Sequence, residues 1–170
     1  IAFLRPVTIL LFCIIWTLSI RAQDAQIVPV SSDSLRYPGE KHLANIRQLT
    51  FGGDNAEAYW SFDSKKLVFQ ATREEWNAHC DQMFVIDTRH PGKPTDIPDL
   101  VSTGKGRTTC AYFMPGNKTI LYASTHLGNE ACPPVPERRT DGKYVWAIYP
   151  DFDIFVADLK GNIKKQLTNS

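Results

Sequence analysis

The sequence contains no G-x-S-x-G elbow, no phosphate-cradling P-loop and no dinucleotide fingerprint. Hydrolase, nucleotide-triphosphate and nicotinamide chemistries therefore lack their usual signatures here. No CxxC or HxxxH spacing stands ready to hold zinc. Charge of one sign is missing as well: 19 Lys and Arg balance 18 Asp and Glu, which leaves no field to draw nucleic acid or an anionic membrane. The longest apolar run, Val7 to Ile20 (VTILLFCIIWTLSI), is 14 residues, short of the roughly 20 that a bilayer-spanning helix needs. These absences predict no catalytic residue, no metal, no cofactor and no nucleic-acid partner.

What is present suits a β protein. The chain has 170 residues, 11% aromatics, 10 Gly and 11 Pro, a composition for short strands joined by turns, and it is long enough to bury a substantial core. The apolar run follows Arg5 and precedes the small residues Ala22 and Ala25, the layout of a secretory signal. We expect a signal peptide over residues 1–23 and a flexible leader over 24–40. After cleavage no stable membrane insertion is expected, the alternative being an uncleaved anchor.

The stretch Ala56 to Asp87 (AEAYWSFDSKKLVFQATREEWNAHCDQMFVID) organises the rest. It reads as strands at Ala56–Trp60, Lys66–Gln70 and Gln82–Asp87, with a fourth strand near Thr95 to Ser102. The pattern returns 53 residues later as TCAYFMPGNKTILYAST, where Tyr112 matches Tyr59, Phe113 matches Trp60 and Leu121 matches Val68. Strands are expected there at Thr109–Phe113, Thr119–Ser124, Asp153–Asp158 and Ile163–Thr168. The third strand, DIFVAD, follows its counterpart QMFVID by 71 residues rather than 53, so 18 extra residues lie within an insertion at 127–151. A polar, Pro-rich insertion of this kind is a surface excursion. Ile46 to Thr50 reads as a further short strand, because Gln48-Leu49-Thr50 matches Gln166-Leu167-Thr168. A repeated β unit of this length marks a propeller blade.

The unit AYWSFDSKKLVFQA…QMFVID, closed by KKQLT, resembles the TolB-like β-propeller repeat, with its W-S-P-D-G-K turn, its I-Y-V-M-D third strand and its Q-L-T close. The turns depart from that pattern, as Ser61-Phe62-Asp63-Ser64-Lys65 and Met114-Pro115-Gly116-Asn117-Lys118. The resemblance implies an all-β fold, a β-propeller of four-stranded antiparallel blades with about two blades present, at 56–102 and 109–168. It implies a non-enzymatic scaffold of the periplasm or envelope that binds envelope proteins, with biopolymer transport across the envelope as the expected setting. The alternative is the N-terminal propeller of an exported prolyl-oligopeptidase-like or amidohydrolase-type hydrolase. The lead-in motif at Gln166-Leu167-Thr168 adds the expectation that the chain is the N-terminal part of something longer. Two blades leave both outer sides uncovered, which predicts poor stability or aggregation in isolation.

Blade topology also gathers residues. The loop entering an inner strand and the loop joining second and third strands share one face, which collects Cys80, Cys110 and Cys132. In an exported chain a disulfide is their expected use. Cys110–Cys132, tethering the insertion within its own blade, is the preferred pair, and Cys80–Cys110 the alternative. Tyr144, Trp146 and Tyr149 on the insertion are the interaction candidates, since large aromatics anchor interfaces. In the turns, Asp63 is expected to accept a backbone N–H two residues on, and Asn117 to act similarly. Tyr59, Trp60, Tyr112 and Phe113 are expected to bury against neighbouring blades.

Overall fold

The computed structural model describes residues 35–137, 139–143 and 145–169; the signal segment and most of the leader lie outside them. The described residues form eight strands: β1 (Asp54–Trp60), β2 (Lys66–Arg73), β3 (Ala78–Asp87), β4 (Asp99–Leu100), β5 (Thr108–Phe113), β6 (Thr119–Ser124), β7 (Asp153–Asp158) and β8 (Ile163–Gln166). They make two four-stranded antiparallel sheets, ordered β1-β2-β3-β4 and β5-β6-β7-β8. The described residues are all-β, and each sheet is a simple meander. The expected strands at Ala56–Trp60, Lys66–Gln70, Gln82–Asp87, Thr119–Ser124 and Asp153–Asp158 fall within or on these elements.

The two sheets pack face to face. Val68, Met83, Val85 and Val101 from the first sheet meet Ala111, Phe113, Ile120, Tyr122, Phe155 and Ala157 from the second. Strand alternation explains the choice: Val68 pairs with Val85 in register and Tyr122 with Phe155, so each pair presents one face. A second apolar cluster lies on the far face of the first sheet. There Phe69, Ala71, Ala78, Phe84 and Ile86 are covered by Leu49, Leu67 and Trp76. Trp76 sits edge-on to Phe84 at 5.1 Å between ring centroids, within the range of a favourable aromatic pair.

The 53-residue repeat extends into the backbone. Glu57 and Cys110 both take φ 51°, and Ser64 and Asn117 take 56° and 57°. The first pair falls where the register shifts, between Ala56 and Tyr59 in β1 and between Thr109 and Tyr112 in β5. Each inner strand thus carries a β-bulge at the same place. A left-handed non-glycine residue there costs on the order of 1 kcal/mol, so the bulge is retained twice against a local penalty.

The fourth strands are held by a repeated hydroxyl clasp. Ser102 Oγ accepts from Met83 N (3.0 Å) and donates to Gln82 Oε1 (2.7 Å). Thr168 Oγ1 accepts from Ile154 N (2.9 Å) and donates to Asp153 Oδ1 (2.8 Å). The close written Val101-Ser102 in one sheet and Leu167-Thr168 in the other therefore has a physical reason. In both, the hydroxyl bridges to the third strand; Val101 packs in the inter-sheet core, while Leu167 is half exposed.

Several expectations are corrected. Ile46 to Thr50 is not a strand: among the described residues no strand pairs with it in a ladder. Leu49 nevertheless packs on the first sheet. Asp63 does accept from Lys65 N at 3.2 Å. Asn117 does not imitate it; its Oδ1 reaches across to accept from Phe62 N at 2.8 Å, linking the turns of the two sheets. Phe113 is buried in the inter-sheet core, but Trp60 is 56% exposed and Tyr112 45%. Trp60 alternates with Tyr59 along β1 and so faces away from the interface, while Tyr112 stacks on Tyr59 at 4.2 Å between ring centroids.

Candidate interaction face

The two sheets differ most in the connection between second and third strands. In the first sheet it is a single 3-10 turn, Glu74–Trp76, closed by Asn77 in the left-handed region at φ 54°. In the second it is the long insertion. Its base is pinched: a Cβ on Gly128 would stand 2.6 Å from the Asp151 side chain, so only glycine fits that neck. Gly128 N and Asn129 N both donate to Thr125 O, at 3.0 and 3.1 Å.

From this neck the insertion runs back toward the first sheet. Gly106 N donates to Glu130 O (2.8 Å), and Lys105 Nζ reaches Glu130 Oε1 at 2.5 Å. Cys132 is joined to Cys80 at the start of β3, with 5.6 Å between Cα atoms. This corrects both expected pairings. The start of β3 lies against the entry to β5, where Thr108 Oγ1 donates to Asp81 O at 2.9 Å. Cys80 therefore meets the insertion of the adjacent sheet. Cys110 is a free, exposed thiol: the bulge carries it onto the edge of β5, beside Thr109 Oγ1 at 3.3 Å.

Arg107 binds the assembly together. Its Nε lies 3.5 Å from Asp81 Oδ2, an ion-pair distance without a well-aligned hydrogen bond. Its guanidinium stands 5.6 Å from the centre of the Tyr149 ring, a cation–π contact. Tyr149 in turn donates its hydroxyl to Pro134 O (2.8 Å) and packs near Phe152. Tyr149 is thus a strut inside the insertion. Trp146 is placed differently, at 79% exposed, and Ile148 is 92% exposed; Val135 and Val145 are exposed too. Tyr144 lies outside the described residues.

Two histidines lie on this face. His126 sits against the Phe155 ring at 4.6 Å between centroids and shares a 2.9 Å contact between Nδ1 and Ser124 Oγ. Burial, helped by the charge of Lys105 and opposed by Asp153, holds its pKa below the usual histidine value. His79 Nδ1 lies 2.5 Å from Glu74 Oε2 on an exposed rim. Among the described residues no group of three or more His, Cys, Asp and Glu side chains is close enough to hold a metal. Chemically, the face offers a disulfide-tethered insertion bearing exposed apolar side chains.

Set against known protein families, curated proteins and solved structures, the chain matches none.

Proposed function

We propose that this chain is an exported, TolB-like propeller scaffold whose two sheets are adjacent blades and whose tethered insertion docks an envelope protein. One observation carries the reading. Cys132, Tyr149 and the Gly128–Asp151 neck brace the insertion, while Val135, Val145, Trp146 and Ile148 remain exposed on it. Bracing a loop lowers the conformational entropy lost on binding, and an exposed aromatic among aliphatics is the composition of an interface centre. The face-to-face packing of two bulged meanders built on one repeat supports the blade assignment. A disulfide is compatible with an oxidising compartment and so supports export weakly.

The reading is tested by capture from a detergent-solubilised envelope extract on the immobilised chain, with partners identified by mass spectrometry. Replacing Trp146 and Ile148 with Ala should reduce recovery of a specific envelope protein at least tenfold, with unchanged thermal stability. Equal recovery by the variant would remove the insertion as the contact.

A further inference from the structure

Among the described residues, Cys80–Cys132 is the one disulfide, and it ties the insertion to the first sheet. Its two sulfurs are unequal in reach. Cys80 is buried at the start of β3, whereas Cys132 is exposed on the insertion. A thiolate that opens a disulfide attacks one sulfur and expels the other. Solvent meets this bridge from the Cys132 side.

The charge beside that sulfur is positive. Arg107 Nη2 stands 3.8 Å from Cys132 Sγ. The guanidinium is held there from two sides, by Asp81 Oδ2 at 3.5 Å from Nε and by the Tyr149 ring at 5.6 Å. The Asp81 pair has no aligned hydrogen bond and leaves Nε without a partner, so the cation is only partly spent on it. A cation at this distance favours an anionic attacker and the negative charge spread over three sulfurs during exchange.

The insertion and the sheets also keep their other supports when the bridge opens. Gly106 N on Glu130 O, Lys105 on Glu130, and the two donors to Thr125 O hold the base of the insertion. The Tyr149 hydroxyl on Pro134 O closes it on itself. Neither cysteine belongs to the core between the sheets. Opening the bridge therefore frees the part beyond Glu130 from the first sheet and leaves both sheets paired.

We infer that Cys132 is a site of thiol–disulfide exchange, at which an external dithiol reductant opens the bridge and releases the insertion. The reductant's thiolate bonds to Cys132 Sγ as the Cys80–Cys132 bond breaks. Cys80 leaves as a thiolate and takes a proton from water. The reductant's second thiolate then displaces Cys132, which is protonated in turn. The dithiol is oxidised to a disulfide, and the two electrons it loses are gained by the two cysteines. The inference rests on the bridge and Arg107 and is independent of what the insertion binds.

Reduction of the full chain by dithiothreitol tests it. Free thiols, Cys110 among them, are first blocked with N-ethylmaleimide, and newly formed thiols are counted by mass spectrometry. The rate should rise in proportion to dithiothreitol and stay constant in urea below the unfolding transition. After reduction, trypsin should cut within 127–151 roughly fivefold faster, with the far-ultraviolet circular dichroism unchanged. Arg107→Gln should slow reduction about tenfold and remove its dependence on salt, while Arg107→Lys keeps most of the wild-type rate. An Arg107 that only braces the insertion gives the opposite sign, because a looser insertion is reduced faster. If circular dichroism shows Arg107→Gln unfolded, the wild-type rate itself decides. It should fall about threefold between low salt and about 0.5 M sodium chloride, and a rate that does not fall overturns the inference. So does reduction that is independent of dithiothreitol and rises with urea, a folded Arg107→Gln reduced as fast as the wild type, or loss of strand signal on reduction.

Discussion

The two sheets are built from the same parts and yet are buried differently. β3 is buried continuously from Gln82 to Ile86, on both of its faces, whereas β7 alternates buried with partly exposed positions along its length. Among the described residues, the first sheet has the second on one side and Leu49 with Trp76 on the other, while the second sheet is covered on one side only. Their bulges, turns and clasps are nonetheless equivalent. Local chain geometry in this protein is thus set by the repeat, while burial is set by what lies next to each sheet.

Three measurements can sharpen or break that comparison. The largest effect is expected at Phe155 and its counterpart Phe84, both 1% exposed. Phe155→Ala should destabilise by about 3–5 kcal/mol, because it opens a cavity between two sheets that cannot close. Phe84→Ala should fall at or below about 3 kcal/mol, since Leu49 and Trp76 can move into the space. A Phe84 variant less stable than the Phe155 variant in urea titrations would contradict the idea that the inter-sheet core dominates.

Next comes the cross-link. Cys80→Ser combined with Cys132→Ser removes a bridge spanning 52 residues, worth about 2–4 kcal/mol through the unfolded chain. The loss should be unequal in place. Limited proteolysis should cut faster within 127–151 and leave the Glu74–Trp76 connection unchanged. Equal protection of the insertion in both proteins would show that its neck and Tyr149 suffice to hold it.

The smallest effect is electrostatic and belongs to the second sheet alone. The pKa of His126 is lowered on folding, so the unfolded chain binds a proton more readily than the folded one. Its contribution to stability is complete above the ordinary histidine value, near 6.5, and is lost as pH falls through that value toward the folded one. Urea midpoints should therefore drop between pH 7.5 and 5, above the range where carboxylates titrate, about pH 4. His126→Gln should flatten that drop. An unchanged slope would assign it to other groups.

The strands of both sheets and the site of the insertion were legible in the sequence, because alternation and a 53-residue offset are local regularities that survive without knowledge of neighbours. The Asp63 turn was legible for the same reason. Of the interaction candidates, Trp146 is exposed, whereas Tyr149 is a strut bonded to Pro134 and set against Arg107. Gln82, Arg107 and the Ser102 and Thr168 hydroxyls carry no signal in the sequence. A buried Gln that accepts from Ser102 and donates to Gly106 O at 2.9 Å looks, in sequence, like any polar residue.

By itself, then, the sequence determined the strand repeat and the excursion between β6 and β7, since each depends on residues within one unit. Tertiary structure alone decided the rest. Cys132 joined Cys80 rather than Cys110 because β3 of one sheet lies against the entry to β5 of the other. Asn117 bonded across the sheets instead of within its own turn. Ile46 to Thr50 failed to become a strand without a partner edge. A backbone pattern is inherited from the neighbours along the chain, whereas a covalent pairing, a cross-sheet bond or a buried face requires a neighbour in space.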